Sequence, residues 1–525
     1  MPILDKYPRA DLHEMNLDWL IRTVLEMKEK VDNLDVDEII KELIEDGTIY
    51  DHFGLYFSRY YKNYADMMAD EELQNDMFVF CFGAANPFDG GECYFHIIDS
   101  AGDALTCQND LYAYPAHHDE MTVTPYYFIT MELGAAINMM QSKGIQKIYI
   151  PSDLDNAIIT TEVNLTSDLE VAKNVQLTLD APIRMHGATL RGGQYFPGAN
   201  LATQSMFILQ ENTNTVDEAY ICVNANGKIG IGCIDGKGII TECHLDGEDT
   251  GMFGIWGEHA PADYTMDIRE CTIERFYLNG LFTEAKSCLV SGCTFRKNHV
   301  QTIPNGGGQL CLKGGNTQGY NEVMNCQIVK PGGSATSGIE LWLSGNAIIH
   351  GNYIENKGSL MDAIAIQSGC FADIYDNTLH GDNTNGVAIH LRDHYAKVNT
   401  RDNWYAQWPT NIKITQATQS GAIKEKRFTG DLLTITSSVK PIFDVEGSWS
   451  YKAHVTSGSS FDFKMYEDDI LTIIDMTSGE MRQVFATVAG NYIIDSAFTH
   501  ITFTSVSSKI KLAVDQDTDV FIYRS

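Results

Sequence analysis

Five short apolar stretches in mid-chain carry side chains suited to chemistry on a sugar. They read Leu281-Phe-Thr-Glu284, Leu310-Cys-Leu-Lys313, Ile339-Glu-Leu-Trp-Leu343, Ile364-Ala-Ile-Gln367 and Val387-Ala-Ile-His-Leu391. Strand alternation turns Leu281, Leu310, Ile339, Ile364 and Val387 inward and leaves two outward columns. One column is Phe282, Cys311, Glu340, Ala365 and Ala388; the other is Glu284, Lys313, Trp342, Gln367 and His390. Arg392 and Asp393 extend the strip past His390. A sugar ring is apolar on its C–H face and polar at its hydroxyls, so an indole flanked by charged and amide groups is matching chemistry. Trp342, Lys313, Gln367, His390 and Asp393 are therefore the candidate glycan-binding residues.

Hydrolysis of a glycosidic bond asks for two carboxylates, about 5–5.5 Å apart for retention or about 6.5–9.5 Å for inversion. Glu340 and Glu284 are the candidate catalytic pair. Two rungs and one column separate them, near or beyond the upper limit. An acid from an adjoining chain is an equal partner for Glu340. An elimination lyase would need a basic residue beside a cation site, which Lys313 meets only by type. Any solvated β-face carries such residues, so the strip alone does not separate binding, catalysis and plain surface. No G-x-S-x-G, H-E-x-x-H or phosphate loop occurs, and no cofactor is expected.

The elements that must hold this strip show up as a repeat. An apolar residue, two variable residues, Cys or Asn, one variable residue and an apolar residue recur six times. The copies are Ile240-Thr-Glu-Cys243-His-Leu245, Ile268-Arg-Glu-Cys271-Thr-Ile273, Val290-Ser-Gly-Cys293-Thr-Phe295, Val323-Met-Asn-Cys326-Gln-Ile328, Ile349-His-Gly-Asn352-Tyr-Ile354 and Ile374-Tyr-Asp-Asn377-Thr-Leu379. A possible seventh copy contains Asn403, with Thr400 in the leading apolar position. Steps of 28, 22, 33, 26 and 25 residues separate the first six anchors. A strand-like unit of that length cannot bury its own apolar face and must stack on copies of itself. The fold expected is all-β dominated: a right-handed parallel β-helix, an N-terminal helical segment and a C-terminal β-sandwich-like or jelly-roll domain.

The rest of the chain divides around that solenoid. Residues 1–47 are helical, with Leu17, Leu20, Val24, Met27, Val31 and Leu34 at heptad spacing. Residues 48–128 read as a small mixed domain. There Tyr56, Phe57, Tyr60 and Tyr61 suit a short helix, and Phe78–Phe82 and Tyr94–Ile98 suit strands. A helix over about 129–143 leads into the first strand and would cover the open end of the β-helix, which spans 129–412. Beyond it, residues 413–525 alternate like separate antiparallel strands.

Composition narrows the function classes. A net charge of −33 over 525 residues repels a phosphate backbone, so nucleic acid is not an expected partner. No segment is long and apolar enough for a membrane span, and no signal peptide opens the chain. The twelve Cys show no disulfide framework and read as reduced packing residues. Cys288 and Cys293 lack a second ligand pair, and His117, His118, Asp119 and Glu120 read as a loop, so no metal site is expected.

The helical start, the helix feeding Lys147-Ile-Tyr-Ile-Pro151, the Cys/Asn rungs and the closing β-region together resemble bacteriophage tailspikes and neck appendages, within the pectate-lyase-like superfamily. Residues 1–34 and 129–412 carry the resemblance. The opening Asp11-Leu-His-Glu-Met-Asn-Leu-Asp-Trp-Leu-Ile21 is similar to the start of virion appendage proteins from phages of Gram-positive gut bacteria. The resemblance implies a homotrimer in the virion tail or neck, assembled in the host cytoplasm. It also implies an N-terminus docked on other virion proteins and a β-helix that binds host surface polysaccharide during adsorption. Two alternatives stay open, a polysaccharide depolymerase and a purely structural head or tail fibre. A free secreted bacterial lyase fits poorly with the heptad seam.

Overall fold

Ile240 and Leu245 lie five residues apart, and a straight strand would put them on opposite faces. Both are buried. The parity is reset by Glu242, whose φ of 51° turns the chain just before the anchor Cys243. The same left-handed corner recurs at Glu270, Gly292, Asn325, Gly351, Asp376 and Asp402, with φ between 54° and 66°. Five of these seven corner residues, Glu242 included, are not glycine, although an L-residue disfavours this conformation. The corner therefore persists because burial of two rung residues outweighs it, at about 1.5–3 kcal/mol for each large apolar side chain.

In a computed structural model the described residues are 59–83, 93–99, 105–115, 132–142, 144–154, 156–257, 264–298, 308–313, 320–330, 337–342, 346–356, 362–367, 369–382, 386–392, 396–415, 423–424, 431–435, 442–444, 449–458, 460–464, 470–486, 492–494, 499–506 and 509–524. The heptad seam, the His117–Glu120 cluster and Asp393 lie outside them. The chain divides into two units, residues 1–157 with 167–175, and residues 158–166 with 176–525.

The first unit holds a five-stranded sheet in the order Arg59–Tyr61, Phe78–Cys81, Cys93–Ile98, Tyr112–Pro115, Leu105–Thr106. Arg59–Tyr61 pairs parallel with Phe78–Cys81, so this stretch is a strand and not the short helix expected there. The helix begins later, at Tyr64–Met68, where the Asn63 side chain accepts from the Asp66 N–H at 2.8 Å. A second helix, Leu133–Ser142, buries Leu133, Ala136, Ile137 and Met140. It is tied to the strands of its own unit, since the Ser167 N–H donates to Gln141 and the Ser167 hydroxyl to the Ile145 carbonyl. Lys147–Ile150 then runs parallel with residues 168–171.

The second unit is a right-handed parallel β-solenoid with three strands per coil. One coil is Thr265–Arg269, Thr272–Glu274 and Leu281–Thr283. Each strand pairs parallel with its counterpart in the next coil, Ser287–Ser291, Thr294–Arg296 and Gly308–Lys313. The anchors stack. Asn352, Asn377 and Asn403 form a ladder in which the Asn352 N–H donates to Asn377 Oδ1 and the Asn377 N–H to Asn403 Oδ1, both at 3.0 Å. Asn403 is thus a full rung, with Thr400 buried in register with Ile374. Further rungs occur upstream, where Leu190 and Val216 stack under Ile240, and Tyr195 and Ile221 under Leu245.

Parallel pairing does not stop at residue 412. Asp431–Ile435 continues the sheet from Thr410–Ile414, and Trp449–Val455 continues it again. Only then does the pairing become antiparallel, with Thr518–Arg524 lying along Trp449–Val455 and along Ile470–Asp475. A separate four-stranded sheet contains Ile442–Asp444, Ser460–Lys464, Lys509–Val514 and Ile501–Val506.

Replacing Asn377 by Ala removes the acceptor for the Asn352 N–H and the donors to the Ile349 and Tyr375 carbonyls. Orphaned buried groups of this kind cost about 3 kcal/mol together. Scanning calorimetry is expected to show a clear fall in Tm for Asn377→Ala and a smaller one for Asn377→Cys, because Cys fills the same place at four other rungs.

Candidate functional site

The third strand of each coil builds the outer strip, and its register places the functional side chains. Phe282, Cys311, Glu340 and Ala365 stack as expected. The next partner of Ala365 is His390 and not Ala388. His390 therefore belongs to the Glu340 column, two rungs on. Lys313 pairs with Trp342 in the other column, and the two-residue shift carries Arg392 opposite Gln367. A slip of two residues keeps every side chain on its face, so alternation in Val387-Ala-Ile-His-Leu391 fits either register. Packing selects the one that sets Ile389 on Ile364. The strip also starts earlier than expected, since Trp256 pairs with Phe282. Phe253 stacks on Trp256 at 5.9 Å with nearly parallel rings and meets Phe282 at the same distance.

Trp342 is 37% exposed, and the Lys313 ammonium sits 5.9 Å from its ring centroid. Lys313 is ion-paired with Glu284. Glu284 and Glu340 are not brought together. They remain two rungs and a column apart, at least about 9.6 Å at the backbone by strand spacing.

Glu340 finds another acid. It is 1% exposed, although it stands in an outward column, and accepts a hydrogen bond from Gln367. Arg392 approaches it at 3.6 Å and binds Asp362 through Nε at 2.9 Å and Nη2 at 2.6 Å. Asp362 is also 2.8 Å from His390 Nδ1, and His390 Nε2 is 2.6 Å from the Thr415 hydroxyl. Burial pushes the Asp362 carboxyl up, but the hydrogen bond and charge of His390, with Arg392, hold it below the usual range. Two buried carboxylates, Glu340 and Asp362, thus converge on one guanidinium. Sequence reasoning missed Asp362 because it precedes the strand Ile364–Ile366 and joins no column. Its signal was a lone acid two residues ahead of a rung that faces an arginine.

A second polar cluster lies on the strand after the anchors. Asp246 pairs in register with Glu274, and His244 Nε2 is 2.9 Å from Glu274 Oε1. Ligand atoms of these three residues fall within 4.8 Å of one another. Arg275 binds Asp246 and Arg296 binds Glu274. Burial raises Glu274, but Arg296 and His244 outweigh it and lower its pKa. The arginines already balance the acids, so the arrangement is an ion-pair network and not a cation cradle.

Comparison with known proteins bears on the fold. Residues 253–419 match the family described as right handed beta helix region. No curated protein matches the sequence. The enzymatically active domain of bacteriophage CBA120 tailspike protein 4 aligns with 10% identity and a TM-score of 0.43, over 92% of this chain and 78% of that one. The gp42 tailspike of Acinetobacter phage vb_AbaP_AS12 aligns with 12% identity and a TM-score of 0.41, over 84% and 78%. WceF of Pantoea stewartii, a glycan biofilm modifying enzyme, aligns with 8% identity and a TM-score of 0.35, over 89% and 70%.

The lowered pKa of Asp362 sets a pH dependence. The folded state binds this proton less readily than the unfolded state, so Asp362 stabilises the protein above the unfolded value near 4. That contribution is lost as pH falls through the folded value. Urea unfolding between pH 7 and pH 2 is expected to show a shallower acid loss in Asp362→Asn than in the parent, together with lower stability at pH 7.

Proposed function

We propose that this protein is a phage tailspike or neck appendage that holds host cell-surface polysaccharide along the outer strip of its solenoid. One observation carries the reading: Trp342 is exposed between Lys313 and Gln367 in a continuous column, with the aromatic group Phe253, Trp256 and Phe282 toward one end and the Asp362–His390–Arg392 group toward the other. An indole flanked by charged and amide groups matches both faces of a sugar. The virion location, the homotrimer and the docking of the N-terminus on other virion proteins belong to the same reading, and they rest on the sequence resemblance. Repetition of the strip on several chains would raise a weak sugar affinity through multivalency.

The buried pair Glu340 and Asp362 favours a second reading, cleavage of the bound polymer. In this reading Asp362, held below the usual carboxylate range by His390 and Arg392, serves as nucleophile or base, and Glu340, beside it on the same guanidinium, as the acid. Acid and nucleophile or base roles are separated in this way in glycosidases.

Binding to purified host capsule or cell-wall polymer is measured by biolayer interferometry. Trp342→Ala is expected to weaken it about tenfold or more, about 1.4 kcal/mol, with Tm unchanged. Unchanged affinity would remove the strip as the binding surface. Reducing-end release from the same polymer separates the two readings. Cleavage that falls on the order of a hundredfold in Glu340→Gln supports the enzyme, and intact polymer with the parent protein supports binding alone.

A further inference from the structure

The four cysteine anchors occupy consecutive rungs. The residues following them pair His244 with Thr272, Thr272 with Thr294 and Thr294 with Gln327. The N–H groups of Thr272, Thr294 and Gln327 bond to the carbonyls of Cys243, Cys271 and Cys293 at 2.8–2.9 Å. The thiols thus form one line. All four are 1–2% exposed. Each thiol donates to main-chain carbonyls, as Cys271 Sγ does to Arg269 at 3.1 Å and Cys293 Sγ to Ser291 at 3.3 Å.

The spacing decides what such a line can hold. Neighbouring rungs are about 4.8 Å apart. A disulfide needs its Cβ atoms about 3.5–4.5 Å apart and a Cβ–S–S–Cβ dihedral of about 90°, whereas stacked in-register side chains run parallel at about one rung spacing. A tetrahedral ion needs four sulfurs around one point, and the outer two are three rungs, about 14 Å, apart. Two metal–thiolate bonds of about 2.3 Å laid end to end span nearly one rung. Soft thiolates select soft cations.

We propose that the Cys243–Cys271–Cys293–Cys326 column is a binding site for soft, linearly two-coordinate cations of the Cu(I) and Ag(I) class, two ions per chain, each bridging adjacent rungs. Each ion displaces two thiol protons to solvent and forms two metal–sulfur bonds, with no change of oxidation state. The site lies inside the solenoid wall and is independent of the polysaccharide strip.

The fold supplies its own control, because Asn352, Asn377 and Asn403 fill the same position further along. The full-length reduced protein is titrated with Ag(I) under argon and desalted, and metal per chain is counted by inductively coupled plasma mass spectrometry. The double variant Cys271→Asn/Cys293→Asn is expected to carry two fewer Ag(I) and to lose a thiolate–metal absorption band. Cys370→Ala, a thiol buried elsewhere, is expected to lose less than one ion. If the double variant does not fold, Cys271→Asn serves alone, with one ion lost. Equal loading of the parent and the Asn variant overturns the proposal. Silver uptake that occurs only with loss of the cooperative thermal transition overturns it equally.

Discussion

One left-handed residue per coil is the constraint on which the rest depends. It lets apolar residues five positions apart face the same interior, and it turns each strand pair so that a third strand can close the coil. Without that turn, half of each rung would point to water. Glutamate and aspartate at several of these corners show that burial of the flanking rung residues outweighs the local preference for glycine. The anchor after the corner is buried beside the chain's own carbonyls, and a small group with a donor is what fits there. Thiol and carboxamide both meet the need by donating to the same two carbonyls, one two residues back and one on the preceding rung.

The outer strip inherits its geometry from this repeat. Side chains far apart in sequence become neighbours because each coil advances by one strand spacing. Glu340 illustrates the effect. It sits in an outward column yet is covered, since Gln367 and Arg392 from later coils close over it. Asp362 enters from the approach to a strand and shares the same guanidinium. The small Ala365 between Glu340 and His390 leaves the space that these longer side chains fill.

Much of this was legible in the residues. The Cys/Asn pattern gave the coils, the stacking of anchors and the inward faces of Leu281, Leu310, Ile339 and Ile364. It did not give the rungs around Ala219 and Gly193, because their anchors carry neither thiol nor carboxamide. It did not fix the placement of His390 either, since a two-residue slip leaves the hydrophobic pattern unchanged and only the packing of Ile389 on Ile364 distinguishes the registers. Asp362 was invisible for a related reason: its partners come from loops and strand ends, where no periodicity marks a direction. The strand at Arg59–Tyr61 was misread as helix because four aromatic residues in six positions fit either period, and its partner at Phe78–Cys81 decided the matter.

The pairing of Trp449–Val455 with Thr518–Arg524 closes a problem inherent in any stack of parallel coils. A solenoid ends on a row of unsatisfied amides and carbonyls, which can template another copy without limit. Here a strand from the far end of the chain, running in the opposite sense, occupies that row. The parallel run of that sheet is thereby closed from within the same polypeptide, so its length is a property of the gene and not of the concentration.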